Sequence, residues 1–211
     1  MPKPLMIELF AGRQTMSRAF EKWGFETRSF DYNSLLNPDF CLDINTLTPA
    51  DMEGAQVIWA SPDCTKFSYA SGPKNEFRAA NREPLTDDAL HAIATVEHTL
   101  ELCKEAEWYW FVENPDHGAL KDQAFMKSYP RETVAYCAYG HDFRKYTNIW
   151  GKFPPSWKAR GWCGHLSHPN IKLHGSAQDK AMIPEQLCDQ IAKACSDDQG
   201  VQIPNLLEWI Q

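Results

Sequence analysis

A single doubly wound α/β domain is the fold this sequence predicts, and three observations carry that prediction. Apolar runs of strand length alternate with segments whose apolar residues recur at helical spacing. Several of the runs end abruptly in a chemistry-bearing residue: Asp31, Cys64 and Glu113. The 211 residues, 43% of them hydrophobic, supply one sizeable core and leave little for a second domain.

The elements follow in order. Leu5 to Phe10 reads as the first strand and Ala11-Gly12 as its turn. A helix comes next, with Met16, Ala19, Phe20 and Trp23 on one face and Gly24 just past its end. Glu26 to Phe30 is a second strand, closed by Asp31 about twenty residues after the glycine. Such a unit can bind the adenosine part of a cofactor, the acid meeting ribose hydroxyls. Only one glycine is present, with Arg13-Gln14-Thr15 filling the loop, and this disfavours ATP and dinucleotides. Asp43-Ile44 closes a short segment, and Thr48-Pro49 opens a short helix.

Val57 to Ala60 is a buried strand stopped by Ser61-Pro62, with Asp63-Cys64 directly behind. Open α/β sheets place their ligands at such carboxyl ends, so Cys64 stands where a nucleophile is useful. The loop from Thr65 to Arg82 carries Lys66, Lys74 and Arg78 with Tyr69 and Phe77 interleaved, a pattern suited to phosphate contact and base stacking. Thr86 caps a helix whose Ala89, Ile93, Val96, Leu100 and Cys103 form one apolar face. Trp108 to Val112 is a strand buried on both faces, ending in Glu113-Asn114-Pro115. A carboxylate at the end of a buried strand is costly unless it is used or paired.

A short helix near residues 124–129 leads to a strand over 133–137. A turn with Arg144 and Lys145 follows, then a last strand over 147–150. Residues 151–181 show no periodicity. Pro184 opens a closing helix with Leu187, Ile191 and Ala194 on one face, and the tail after Ser196, acidic and then apolar, is expected to dock on the domain or on a second copy.

Charge and cysteines narrow the function. A net charge of −7 excludes a generally basic nucleic-acid coat, so DNA contact must come from a local patch. No apolar run reaches membrane-spanning length, and no signal peptide is read at Met1-Pro2-Lys3-Pro4. Seven cysteines without a repeated spacing read as reduced thiols in a cytoplasmic protein.

Taken together, these pieces resemble the DNA cytosine-5 methyltransferases, and most of all their small, often phage-borne branch. The match runs over about residues 5–195, and its weight lies in motif order. Glu8-Leu9-Phe10-Ala11-Gly12, Ser61-Pro62-Asp63-Cys64 with Phe67-Ser68, Glu113-Asn114, Tyr139-Gly140 through Trp150, and Ile183-Pro184 with Leu187-Cys188 and Ile191-Ala192 follow the family's sequence. The resemblance implies a doubly wound mixed sheet of the S-adenosylmethionine-dependent, Rossmann-like type. It implies Cys64 as nucleophile toward carbon 6 of a flipped cytosine and Glu113 as the group that holds the base. S-adenosylmethionine is implied as cofactor, held by Phe10, Ala11, Gly12, Asp31, Tyr32, Asp43, Ile44 and Ser61. Duplex DNA is implied as partner, met by Pro62, Lys66, Ser68, Lys74, Arg78, Asn114, Arg144 and Lys145. The compartment implied is the cytoplasm of a bacterial or virus-infected bacterial cell.

Two departures stand out. The residue before the cysteine is Asp63 rather than the usual proline, and its charge should raise the thiol pKa. Only about residues 152–181 remain for target recognition. A short or relaxed site is therefore expected, or help from a second copy or a partner subunit. Cys163, His165, His168 and His174 fit no standard zinc spacing, so the expectation there is a DNA-facing loop without metal. Two other readings stay open: an enzyme acting on free cytosine nucleotide or RNA, and a weakly catalytic member serving as a DNA- or cofactor-binding subunit.

Overall fold

Seven strands form one sheet in the order β3-β2-β1-β4-β5-β7-β6 in the computed structural model, which describes residues 2–68, 76–77, 82–165, 167–168 and 182–201. The strands are β1 (Leu5–Leu9), β2 (Glu26–Asp31), β3 (Phe40–Cys41), β4 (Ala55–Ala60), β5 (Tyr109–Pro115), β6 (Arg131–Ala135) and β7 (Tyr146–Lys152). The β1–β2, β1–β4, β2–β3 and β4–β5 pairs are parallel, and β7 runs antiparallel to both β5 and β6. The sheet is therefore mixed and doubly wound.

Strand alternation sorts the core onto two faces. Leu5, Ile7, Leu9, Ile58, Ala60, Trp110 and Val112 pack toward helix α2 (Asp87–Cys103). Met6, Val57, Trp59, Phe111 and Ile149 pack toward α1 (Thr15–Lys22) and α3 (Glu185–Gln199). The two-residue period puts Glu8 and Glu113 on the α1/α3 face as well. Thr86 caps α2 through a bond from the Ala89 N–H at 3.1 Å, as its position before Asp87-Asp88 predicts.

Three differences from the sequence reading have local causes. The strand predicted over 133–137 stops at Ala135, and Tyr136–Tyr139 is a 3-10 turn closed by Gly140 at φ +91. A Cβ at Gly140 would also come within 2.9 Å of the Gln186 side chain. The closing helix runs on through Asp197 and Asp198 to Gln199, aided by a Lys193–Asp197 pair one turn apart, and ends at Gly200. The apolar tail predicted to dock lies outside the described residues. Lastly, residues 152–160 are less free than the sequence suggests. Phe153 and Trp157 pack on Phe111, and the Arg160 carbonyl accepts the Ala135 N–H at 2.9 Å.

Candidate active site

Register alone brings the predicted residues to one edge. Leu9 pairs with Phe30 and Ala60, and Ala60 with Val112. The next residue on each strand is Phe10, Asp31, Ser61 and Glu113, so these four form a row at the carboxyl end of the sheet. A cavity of about 310 Å³ opens there, lined among others by Phe10, Ala11, Gly12, Ser61, Pro62, Cys64, Glu113 and Lys145. All eight of these were singled out in the sequence.

The Cys64 loop is held from both sides. The buried Asn114 amide donates to the Pro62 carbonyl at 3.0 Å. The Ala119 N–H donates to the Phe67 carbonyl at 2.8 Å, and Ser68 forms a bridge with Gly118. A Cβ on Gly118 would come within 3.0 Å of the Phe67 carbonyl oxygen, so that approach favours glycine. Asp63 accepts from the Thr65 N–H at 2.9 Å and the Thr65 hydroxyl at 2.7 Å, an Asx turn that starts the segment behind the thiol.

Burial pushes the half-buried Cys64 thiol up to about 11; the charge of Glu113 adds to this, Lys145 opposes it, and Asp63 contributes less than Glu113. The neighbouring aspartate thus acts in the expected direction but is not the main cause. Glu113 is itself raised, chiefly by burial, with Lys145 and the Tyr136 hydroxyl drawing it back. The Tyr136 hydroxyl donates to Glu113 Oε1 at 3.1 Å, and the Lys145 ammonium lies 4.6 Å from the Tyr136 ring centre. Burial holds the Tyr136 hydroxyl well above its ordinary pKa, so it stays a donor.

Other predicted residues are placed differently. Asp31 stands in the strand-end row but outside the cavity wall, its carboxylate accepting the Gly12 N–H at 2.9 Å and the Asn33 N–H at 2.9 Å. Tyr32 is 77% exposed, Asp43 caps a 3-10 turn through the Asn45 N–H, and Ile44 is buried in the core. None of the three lines the cavity. Ser61 does, and its hydroxyl accepts the Trp59 indole N–H at 2.8 Å. Asn114, expected as a substrate contact, donates its side-chain amide to the Pro62 carbonyl. Lys66 pairs with Asp88 and lies 4.0 Å from Glu76, and Arg144 meets His168 Nδ1 at 3.0 Å. Lys74 and Arg78 lie outside the described residues.

Tyr136, Leu36 and Met182 carry no site role in the sequence analysis, and Glu8 enters it only as the first residue of the Glu8–Gly12 motif. Glu8 lines the cavity and accepts the backbone N–H of Ser17 at 2.8 Å and its hydroxyl, so it caps α1 where Gln14 does not. Ile183, part of the closing-helix motif, completes the wall. Periodicity could flag Glu8 as a charge inside an apolar strand; nothing in the sequence marks Tyr136.

No protein-family model matches the chain. It is 28% identical over 184 residues to a probable DNA (cytosine-5)-methyltransferase of frog virus 3, covering 82% of this chain and 81% of that protein. Among solved structures it resembles the methyltransferase EhMeth of Entamoeba histolytica, with TM-score 0.49 and 12% identity over 77% of this chain and 57% of that one. It also resembles a mutant of Spodoptera frugiperda DNMT2, with TM-score 0.46 and 16% identity over 74% and 53%. The chain thus spans about half the length of these solved structures.

Proposed function

We propose that this chain is a DNA cytosine-5 methyltransferase, a reading its likeness to the frog virus 3 protein supports, and that it methylates carbon 5 of cytosine in duplex DNA through a covalent adduct on Cys64. The observation that carries the reading is the convergence of Cys64, Glu113 and Lys145 on one cavity that the Phe10–Gly12 turn also lines. The volume suits an adenosine-sized ligand. Phe10, Leu36 and Ile183 offer apolar wall. Just outside that wall, in the strand-end row, the Asp31 oxygens each take one backbone N–H and keep lone pairs for the hydroxyls of a ribose that extends past the cavity. These residues fit S-adenosylmethionine. Bound there, it supplies an electrophilic methyl carbon to carbon 5.

The chain's own residues do the rest. Carbon 6 is out of reach inside a duplex, so the base must be extruded. As the Cys64 sulfur bonds to carbon 6, its proton is lost to water and ring nitrogen 3 takes a proton from Glu113. Carbon 5 then carries the electron pair that accepts the methyl. Loss of the carbon 5 proton to water breaks the sulfur–carbon bond, and the nitrogen 3 proton returns to Glu113. Burial favours a protonated Glu113 before addition, while the Tyr136 hydroxyl and Lys145 stabilise the carboxylate formed during it. A neutral Glu113 also lifts the charge that helps hold the thiol protonated.

Labelled methyl transfer tests the reading, with duplex DNA, RNA and free cytosine nucleotide offered in parallel to wild type and Cys64→Ala. Label at carbon 5 of duplex cytosine from wild type alone is the expected result. Cys64→Ala should abolish transfer while cofactor affinity stays within about twofold. Label on RNA or nucleotide but not duplex would replace the substrate. Failure of wild type to form a covalent adduct with 5-fluorocytosine DNA would remove the mechanism.

A further inference from the structure

A second thiol cluster lies outside the cavity. Cys137, in the 3-10 turn after β6, and Cys163 and His168, beyond β7, bring one ligand atom each to within 4.8 Å of one another. Cys163 Sγ is 3.1 Å from His168 Nε2. Two cysteines and a histidine around zinc place their ligand atoms roughly 3.5–3.8 Å apart, so small side-chain rotations close the cluster around an ion. Nothing in the methyl-transfer chemistry uses these residues. Cys137 is buried and the other two half-buried, which limits the water that would compete with the ligands.

We propose that Cys137, Cys163 and His168 form a zinc site that fastens the segment after β7 to the turn after β6. Two thiolates and a neutral imidazole balance the charge of the ion. His165, whose ring centre lies 5.4 Å from that of His168, is outside the group of three, so a water or a rotated His165 takes the fourth position. The softness of two thiolates selects zinc over magnesium or calcium. Without metal, Arg144 faces His168 Nδ1 at 3.0 Å, which leaves the ring proton on Nε2, toward Cys163. Binding through Nε2 displaces that proton, and a proton on Nδ1 turns Arg144 away from the ring. Metal loading therefore changes what Arg144 faces. The site itself does not depend on the methyl-transfer reading.

Zinc content of full-length protein purified under reducing conditions without chelator is the test, with cobalt(II) substitution as the second readout. About one zinc per chain is expected, with a sulfur-to-cobalt charge-transfer band and the strong visible absorption of a tetrahedral site. Cys163→Ser and His168→Ala should each lower retained zinc to about a tenth or less, whereas Cys64→Ser should keep it. Cys163→Ser, at a half-exposed position, is compared by circular dichroism to separate ligand loss from unfolding. Reduced wild type that holds neither zinc nor a cobalt charge-transfer band, or a Cys137–Cys163 disulfide in place of metal, would overturn the site. Neither readout involves methyl transfer, so a failed site and a failed activity are told apart.

Discussion

Glu8 and Glu113 are two buried carboxylates on the same face of the same sheet, lining the same cavity, and their surroundings give them different work. Glu8 spends Oε2 on the Ser17 backbone and hydroxyl, so it is fixed to the start of α1. Glu113 accepts from the Tyr136 hydroxyl, is drawn down also by Thr147 and Ser61, and lies within the fields of Lys145 and Cys64. Burial raises both, to about 7 for Glu8. A raised carboxyl pKa in a cleft therefore does not by itself mark chemistry. The partners differ: Glu8 is fixed at a helix terminus, whereas Glu113 has a thiol and a cation beside it, the setting the proposed chemistry requires.

The sharpest break of this comparison is Glu113→Gln. The amide keeps the volume and can still accept from Tyr136, but it cannot give a proton to ring nitrogen 3. Transfer should fall by about 10²–10⁴-fold, the range for losing one general acid. Thermal stability should hold or rise, since a buried ionisable group is gone. A loss below tenfold in single-turnover transfer would place Glu113 outside the chemistry.

Asn114 sharpens the comparison from one residue further along β5. Its amide fixes the Pro62 carbonyl, two residues before the thiol. Asn114→Ala leaves a buried carbonyl unpaired, at a cost of about 1–3 kcal/mol. The thiol then sits in a looser loop, and kcat should drop by about 10–100-fold with the cofactor KM nearly unchanged. Assays well below the variant's melting temperature separate positioning from stability. Asn114→Asp should not rescue, because a carboxylate offers that carbonyl no donor. An unchanged kcat would confine Asn114 to stability.

Sequence made the strand ends legible because apolar runs are local. Leu5–Leu9 and Ala55–Ala60 lie within two residues of where such runs predict them. β5 starts within one residue of its prediction but runs on past Val112 through Glu113 and Asn114 to Pro115, because these pair with β7. Contacts made by topology were not legible. Tyr136 reaches Glu113 only because β6 and β7 return antiparallel beside β5. The second thiol cluster shows the same limit. Chain proximity groups Cys163 with His165, His168 and His174, whereas the fold supplies Cys137 from the far side of β7. The pairing of Lys66 with Asp88 is equally invisible, since it joins a loop to the first turn of α2.

Glu8→Gln tests the other half of the comparison and should affect stability rather than rate. Glu8 rises from an ordinary 4.5 to about 7 in the folded chain, mainly through burial, with the Ser17 bonds pulling the other way. The folded state thus binds the proton more tightly than the unfolded state. The stability this contributes is complete below about pH 4.5 and is lost as pH rises through about 7, a change of about 3 kcal/mol. Glutamine keeps a carbonyl oxygen for both Ser17 donors and has no proton to lose. The difference between wild-type and Glu8→Gln unfolding free energies should therefore shift by about 3 kcal/mol across pH 4.5–7.5, to the wild type's disadvantage at the upper end. Methyl transfer should change by only a few-fold, through the cavity wall. A flat difference across that range would show that Glu8 is already ionised in the fold, and a loss of transfer as large as that of Glu113→Gln would erase the distinction between the two carboxylates.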